Sequence, residues 1–123
     1  MEKQLKLLCE DVRKEIKNCK LQEAKKIIAE SMQEYPDSAV PHNLMGILLE
    51  VSGRHPQAMK HLRAAWALDP TFIPARCNME NFGSFHYKRT YVYTEEECPN
   101  EIKKTKYQIV LDENGVGHFE VRK

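Results

Sequence analysis

At 123 residues, the chain has the size of one small domain, or of one domain with an appendage. Its 19 basic and 18 acidic side chains leave a net charge of +1, so no overall field steers it to nucleic acid or anionic lipid. The composition is that of a soluble globular protein; no apolar run reaches the length of a membrane span, and Met1-Glu2-Lys3 does not lead into a signal-peptide core. The expected location is the cytoplasm. Cys9, Cys19, Cys77 and Cys98 are scattered without a CxxC pair and are expected as reduced, small apolar fillers. His42, His55, His61, His86 and His118 form neither an HxxxH nor a tight Cys/His cluster, so no metal and no cofactor is expected.

Taken in order, residues 3–19 predict a helix with Leu5, Leu8, Val12 and Ile16 on one face and charged residues on the rest. Asn18-Cys19-Lys20 is the predicted turn, and 21–35 is a second helix with Ala24, Ile27, Ile28 and Ser31 inward. The stretch 39–70 predicts another pair. Leu44, Met45, Leu48 and Leu49, with Ile47 and Val51, give its first helix a broad apolar face, and Ser52-Gly53 ends it where φ > 0 is tolerated. Asp69-Pro70 ends the second helix, because proline disfavours helix at the residue before it. Gly46, Ala58 and Ala65 are short where Leu62 and Trp66 are bulky, which predicts a close helix crossing. A third helix, 71–82, has Thr71 as N-cap, Pro74 in its first turn and Gly83 as its stop.

From Ser84 the period changes to an alternation. Phe85, Tyr87, Arg89, Tyr91 and Tyr93 fall on one face of a predicted strand, and His86, Lys88, Thr90 and Val92 on the other. Residues 95–100 read as a charged loop broken at Pro99. Residues 107–111 and 116–121 then read as strands flanking Asn114-Gly115, a strong hairpin signal.

Ala24 and Ala58, Ile28 and Leu62, and Pro36 and Pro70 are each 34 residues apart. With Met45-Gly46, Leu49, Ala58, Leu62, Ala65 and Pro70 in that order, the region resembles the tetratricopeptide repeat, a helix–turn–helix unit of about 34 residues. The resemblance covers about 5–82, as repeats 5–38 and 39–72 and a capping helix 71–82. The first repeat departs from the pattern, with Asp11 and Glu15 where bulky Leu and Tyr are expected and Val12 in place of Gly. The expected fold class is mainly α: an α–α superhelix of helical hairpins in a domain 1–83. An appendage, 84–123, is expected as a small C-terminal antiparallel β hairpin or three-stranded meander.

No Gly-rich phosphate loop, nucleophile elbow, HExxH or EF-hand loop occurs, so a non-enzymatic role is expected. The run Glu95, Glu96, Glu97 reads as a solvated loop. The resemblance implies a scaffold or adaptor whose concave surface, lined by the first helix of each pair, holds a segment of another protein or a peptide. It places Lys6, Cys9, Arg13 and Lys17 on that surface, then Val40, Asn43, Ile47 and Glu50, then Arg76. Core packing is the competing reading for Val40 and Ile47, and a solvated face for the cations. Members of this family that bind chaperone C-termini clamp the terminal carboxylate with Lys, Asn and Arg. Here Cys9, Arg13, Leu44, Pro74 and Asn78 hold those places, so chaperone tails are not expected partners. The alternative function is a nucleic-acid-binding accessory protein that stacks bases on Tyr87 and Tyr91 beside Lys88 and Arg89, with Lys103, Lys104 and Lys106 adding phosphate contacts. Ordinary packing of a half-buried strand competes with it. A homodimer through a sheet edge or an uncapped helical face is a third reading.

Overall fold

Five helices carry the fold: α1 (Lys3–Lys17), α2 (Leu21–Glu34), α3 (Ala39–Val51), α4 (His55–Leu68) and α5 (Ile73–Phe82). The computed structural model describes residues 3–84, 91–98, 109–111 and 117–119. Each helix packs on its successor, α1 also touches α3, and α3 touches α5. The first helices of successive pairs therefore lie side by side, with α2 and α4 behind them.

The 34-residue period is a property of the backbone as well as of the residue types. In the first turn the Asn18, Cys19 and Lys20 N–H groups donate to the Lys14, Ile16 and Glu15 carbonyls. Those of Ser52, Gly53 and Arg54 donate to Leu48, Glu50 and Leu49 in the second. The left-handed residue that such a helix end requires is Cys19 in one turn (φ 61°) and Gly53 in the other (φ 80°). The links from each pair onward match too: Tyr35 to Ser31 and Ser38 to Tyr35 are mirrored by Asp69 to Ala65 and Phe72 to Asp69.

α3 is the central element. Ten of its residues, from Ala39 to Leu49, are buried, as expected for a helix with neighbours on almost every side. Ser38 caps it, its hydroxyl accepting from the Val40 N–H at 3.2 Å. Gly46 marks the tightest approach, since a Cβ there would lie 2.7 Å from Leu62 Cδ2 and 3.3 Å from the Ala58 carbonyl oxygen. The main core joins Leu5, Val12 and Ile16 of α1, Ala24 and Ile28 of α2, and Leu44, Ile47 and Leu48 of α3. Val12, standing where the repeat pattern has Gly, is fully buried.

Two expectations are corrected. α5 begins at Ile73 with Phe72 at the N-cap position and no side-chain cap. Thr71 instead gives its N–H and hydroxyl to Asp69 Oδ1, at 3.0 and 2.6 Å, tightening the turn that follows α4. The second correction concerns the fold class. The described body is 77% helical and contains no strand, so it is an all-helical fold, and the expected C-terminal β hairpin or three-stranded meander is not part of it. Residues 91–93 of the expected aromatic strand have no strand pairing, and Glu95–Glu97 is a short 3₁₀ turn. Residues 85–90 of that strand lie outside the described residues. Beyond the body only two three-residue stretches are described, β1 (Ile109–Leu111) and β2 (Gly117–Phe119). They pair antiparallel with Ile109 opposite Phe119, which is too short a ladder to form a layer of its own.

Candidate functional site

The surface formed by α1, α3 and α5 is covered by the chain's own residues 91–98. Asn43 on α3 and Asn78 on α5 hold the segment by its backbone. Asn78 Oδ1 accepts from the Val92 N–H at 2.9 Å, and Asn78 Nδ2 donates to the Val92 carbonyl at 2.8 Å and to Asn43 Oδ1 at 2.8 Å. Asn43 Nδ2 adds a second donor to the Val92 carbonyl at 3.1 Å. Both asparagines are fully buried, and the network satisfies their amides against each other and the N–H and carbonyl of Val92. Only one orientation of the Asn78 amide places an acceptor at the Val92 N–H and a donor at the two oxygens.

Successive side chains of the segment then point to different neighbours, as in any extended chain. Val92 packs in a cluster with Ile73 and Cys77 of α5 and with Cys98. Tyr93 joins the main core beside α1, where the Arg13 guanidinium lies 4.3 Å from its ring centroid. Cys9 Sγ lies 4.0 Å from the Tyr93 carbonyl oxygen. Burial pushes the Cys9 thiol up to about 11 and the Tyr93 hydroxyl up to about 12, with the Arg13 charge opposing both shifts. At the end of the segment Glu97 accepts from Arg13 and from the Thr94 hydroxyl, and Lys6 reaches Glu96 at 4.0 Å. Two further openings border the segment. A cleft of about 790 Å³ lies past Glu95 and Glu96, lined by Leu5, Val40 and Phe72 and by the acidic Glu34, Asp37 and Asp69. A second opening, of about 220 Å³, is lined by Thr94, Glu96 and Glu97 together with Lys6, Cys9 and Arg13.

Of the residues expected on the concave surface, Lys6, Cys9, Arg13 and Asn43 meet the segment. Lys17 is exposed one turn beyond Arg13. Ile47 and Val40 are core residues, at 0% and 4% exposure. Glu50 turns to the α3–α4 connection and meets His55 Nδ1 at 2.6 Å. Arg76 is buried on α5, with its Nε 3.4 Å from Glu80. Of the alternative nucleic-acid surface, Tyr87, Lys88 and Arg89 lie outside the described residues. Tyr91 is half-buried, with its ring edge-on to Phe82 at 5.9 Å.

Asn78 and the 91–98 segment are the components that sequence reasoning did not assemble. The signal was two asparagines on the apolar faces of α3 and α5. A buried amide must find partners, and the α-helical backbone around it has none to offer. Among the described residues no group of three or more His, Cys, Asp or Glu side chains is arranged to hold a metal ion. No described helix is long and apolar enough to cross a membrane. No family model matches the chain, and neither a curated protein nor a solved structure matches it.

Proposed function

We propose that the protein is a cytoplasmic, non-enzymatic scaffold of the tetratricopeptide type, which binds an extended segment of another protein on the surface made by α1, α3 and α5. The observation that carries this reading is the pair Asn43 and Asn78, which grips both the N–H and the carbonyl of Val92. Backbone recognition of this kind supplies affinity for any extended chain, and the flanking side chains supply selectivity. The hydrogen-bonded turns repeating at 34 residues support the repeat assignment.

A photo-crosslinking residue at Lys6, beside the segment, tests the reading against one at Lys60, exposed on α4. A partner protein recovered from the Lys6 position and not from Lys60 is expected. Equal recovery from both contradicts the assignment of the surface. Binding of a single-stranded oligonucleotide that weakens steeply with salt and is lost in Arg89→Ala favours the nucleic-acid alternative instead.

A further inference from the structure

The segment over α1, α3 and α5 has the form of a bound peptide, although it belongs to the chain itself. We propose that residues 91–98 are a displaceable internal ligand. On this view the same surface takes, in trans, an extended acidic segment of a partner protein, with an aliphatic–aromatic pair followed four residues later by a carboxylate. This rests on the reading above that the surface binds a partner, and deepens it by naming the partner's chemistry and the device that gates access.

The internal ligand supplies the recognition pattern. Val92 fills the contact with Ile73 and Cys77, Tyr93 lies under the Arg13 guanidinium, and Glu97 pairs with the same guanidinium. Lys6 and Arg13 are both on α1, so the cationic end of the surface selects acids at the end of the segment that follows the aromatic residue. The asparagine grip reads only main chain, which a partner's backbone provides as well as Val92 does.

The attachment is of a kind that can exchange. Tyr91, Val92, Tyr93 and Cys98 anchor the segment by apolar contacts and the Val92 backbone by buried hydrogen bonds, whereas Glu95–Glu97 lie at the rim, with the Glu96 side chain 72% exposed and its ion pair to Lys6 at 4.0 Å. An opening of about 220 Å³ borders Thr94, Glu96 and Glu97, and this end is held to α1 by the Arg13–Glu97 and Lys6–Glu96 ion pairs. Six residues join Ser84 to Tyr91. A tether of that length gives the internal copy an effective concentration of roughly millimolar, so a free peptide of equal intrinsic affinity displaces it only near that level. A partner therefore succeeds by binding better than the internal copy, or after the internal copy has been weakened.

The test uses the full chain and a labelled peptide of the sequence of residues 91–98 carrying Cys98→Ser. Val92→Pro removes the N–H that Asn78 accepts and so releases the internal copy. Tyr93→Ala releases it by a different route. Circular dichroism and cooperative melting verify that the helices persist, and the alkylation rate of Cys9, shielded beneath Tyr93, reports release. The released protein is expected to bind the peptide at least tenfold more tightly than the wild type. Adding Arg13→Glu is expected to reverse that gain, and a peptide carrying Glu97→Arg to recover it. A folded, released protein that binds the peptide no better than wild type overturns the proposal. If it instead takes basic and acidic extended peptides equally, with binding lost in Asn43→Ala, the acidic pattern falls while the partner-binding reading stands. If it takes no extended peptide, both fall. Should both releasing variants fail to fold, the charge swap still decides. Arg13→Glu is expected to speed Cys9 alkylation and added Glu97→Arg to slow it again, and no such rescue overturns the proposal.

Discussion

Replacing Asn78 with alanine removes three hydrogen bonds at once, of 2.8, 2.8 and 2.9 Å. The Val92 carbonyl keeps Asn43 Nδ2 as a donor, so the lasting damage is to two groups, the Val92 N–H and Asn43 Oδ1. Each buried group left without a partner costs about 1–3 kcal/mol. Admission of water, or undocking of the segment, limits the sum, which places the expected loss at about 2–4 kcal/mol. That is a large part of the roughly 5–15 kcal/mol that holds a domain of this kind together. Urea denaturation followed by circular dichroism measures it. If the segment leaves while the helices stay, the m-value falls together with the midpoint, because less surface remains to be exposed on unfolding. An Asn78→Ala protein within about 0.5 kcal/mol of wild type and with an unchanged m-value refutes the claim that the asparagine network holds the segment.

Two further predictions test the body of the fold. Gly46→Leu is expected to lower stability by about 1–3 kcal/mol, because the added side chain must displace Leu62 at a crossing with no room for a Cβ; an unchanged urea midpoint means the crossing is not tight. His42 and His61 stack between α3 and α4 with their Nδ1 atoms 3.2 Å apart, room for a single proton between them. Burial lowers both pKa values from 6.5, and His42 lowers that of His61 further. The unfolded chain therefore binds more protons than the folded one below pH 6.5. The stability this pair contributes is present above that pH and is lost as pH falls through and below it. Urea melts at pH 7.5 and 5.5 are expected to differ less in His42→Leu than in wild type, and an equal difference contradicts the assignment.

The helices were legible because their signals are local. The apolar stripe of α1, the Gly53 stop and the spacing of Ala24 and Ala58 all act within one or two turns. Of the residues expected on one face, Lys6, Arg13 and Asn43 come together around residues 91–98, whereas Ile47 lies in the core and Glu50 meets His55 at the α3–α4 turn. The occupant was not legible. Alternating aromatics at 85–93 signal an extended backbone, and an extended backbone ordinarily satisfies itself against a neighbouring strand. Here the partners of Val92 are two asparagine side chains, one of them 49 positions away in the chain. No local pattern encodes that pairing. Thr71 was misread for a related reason. The helix starts at Ile73 with Phe72 at the N-cap position, one residue beyond Thr71, whose hydroxyl donates back to Asp69 Oδ1.

The Val92 amide proton gives the most direct measure of whether residues 91–98 cover the surface of α1, α3 and α5. Hydrogen exchange followed by NMR on the 123-residue chain is expected to show that proton protected, in wild type, by several orders of magnitude over an unstructured peptide. In Asn78→Ala the protection should be lost while the α3 amides remain slow. Exchange of the Val92 amide at the unstructured rate in the wild type, with the helices intact, contradicts the account.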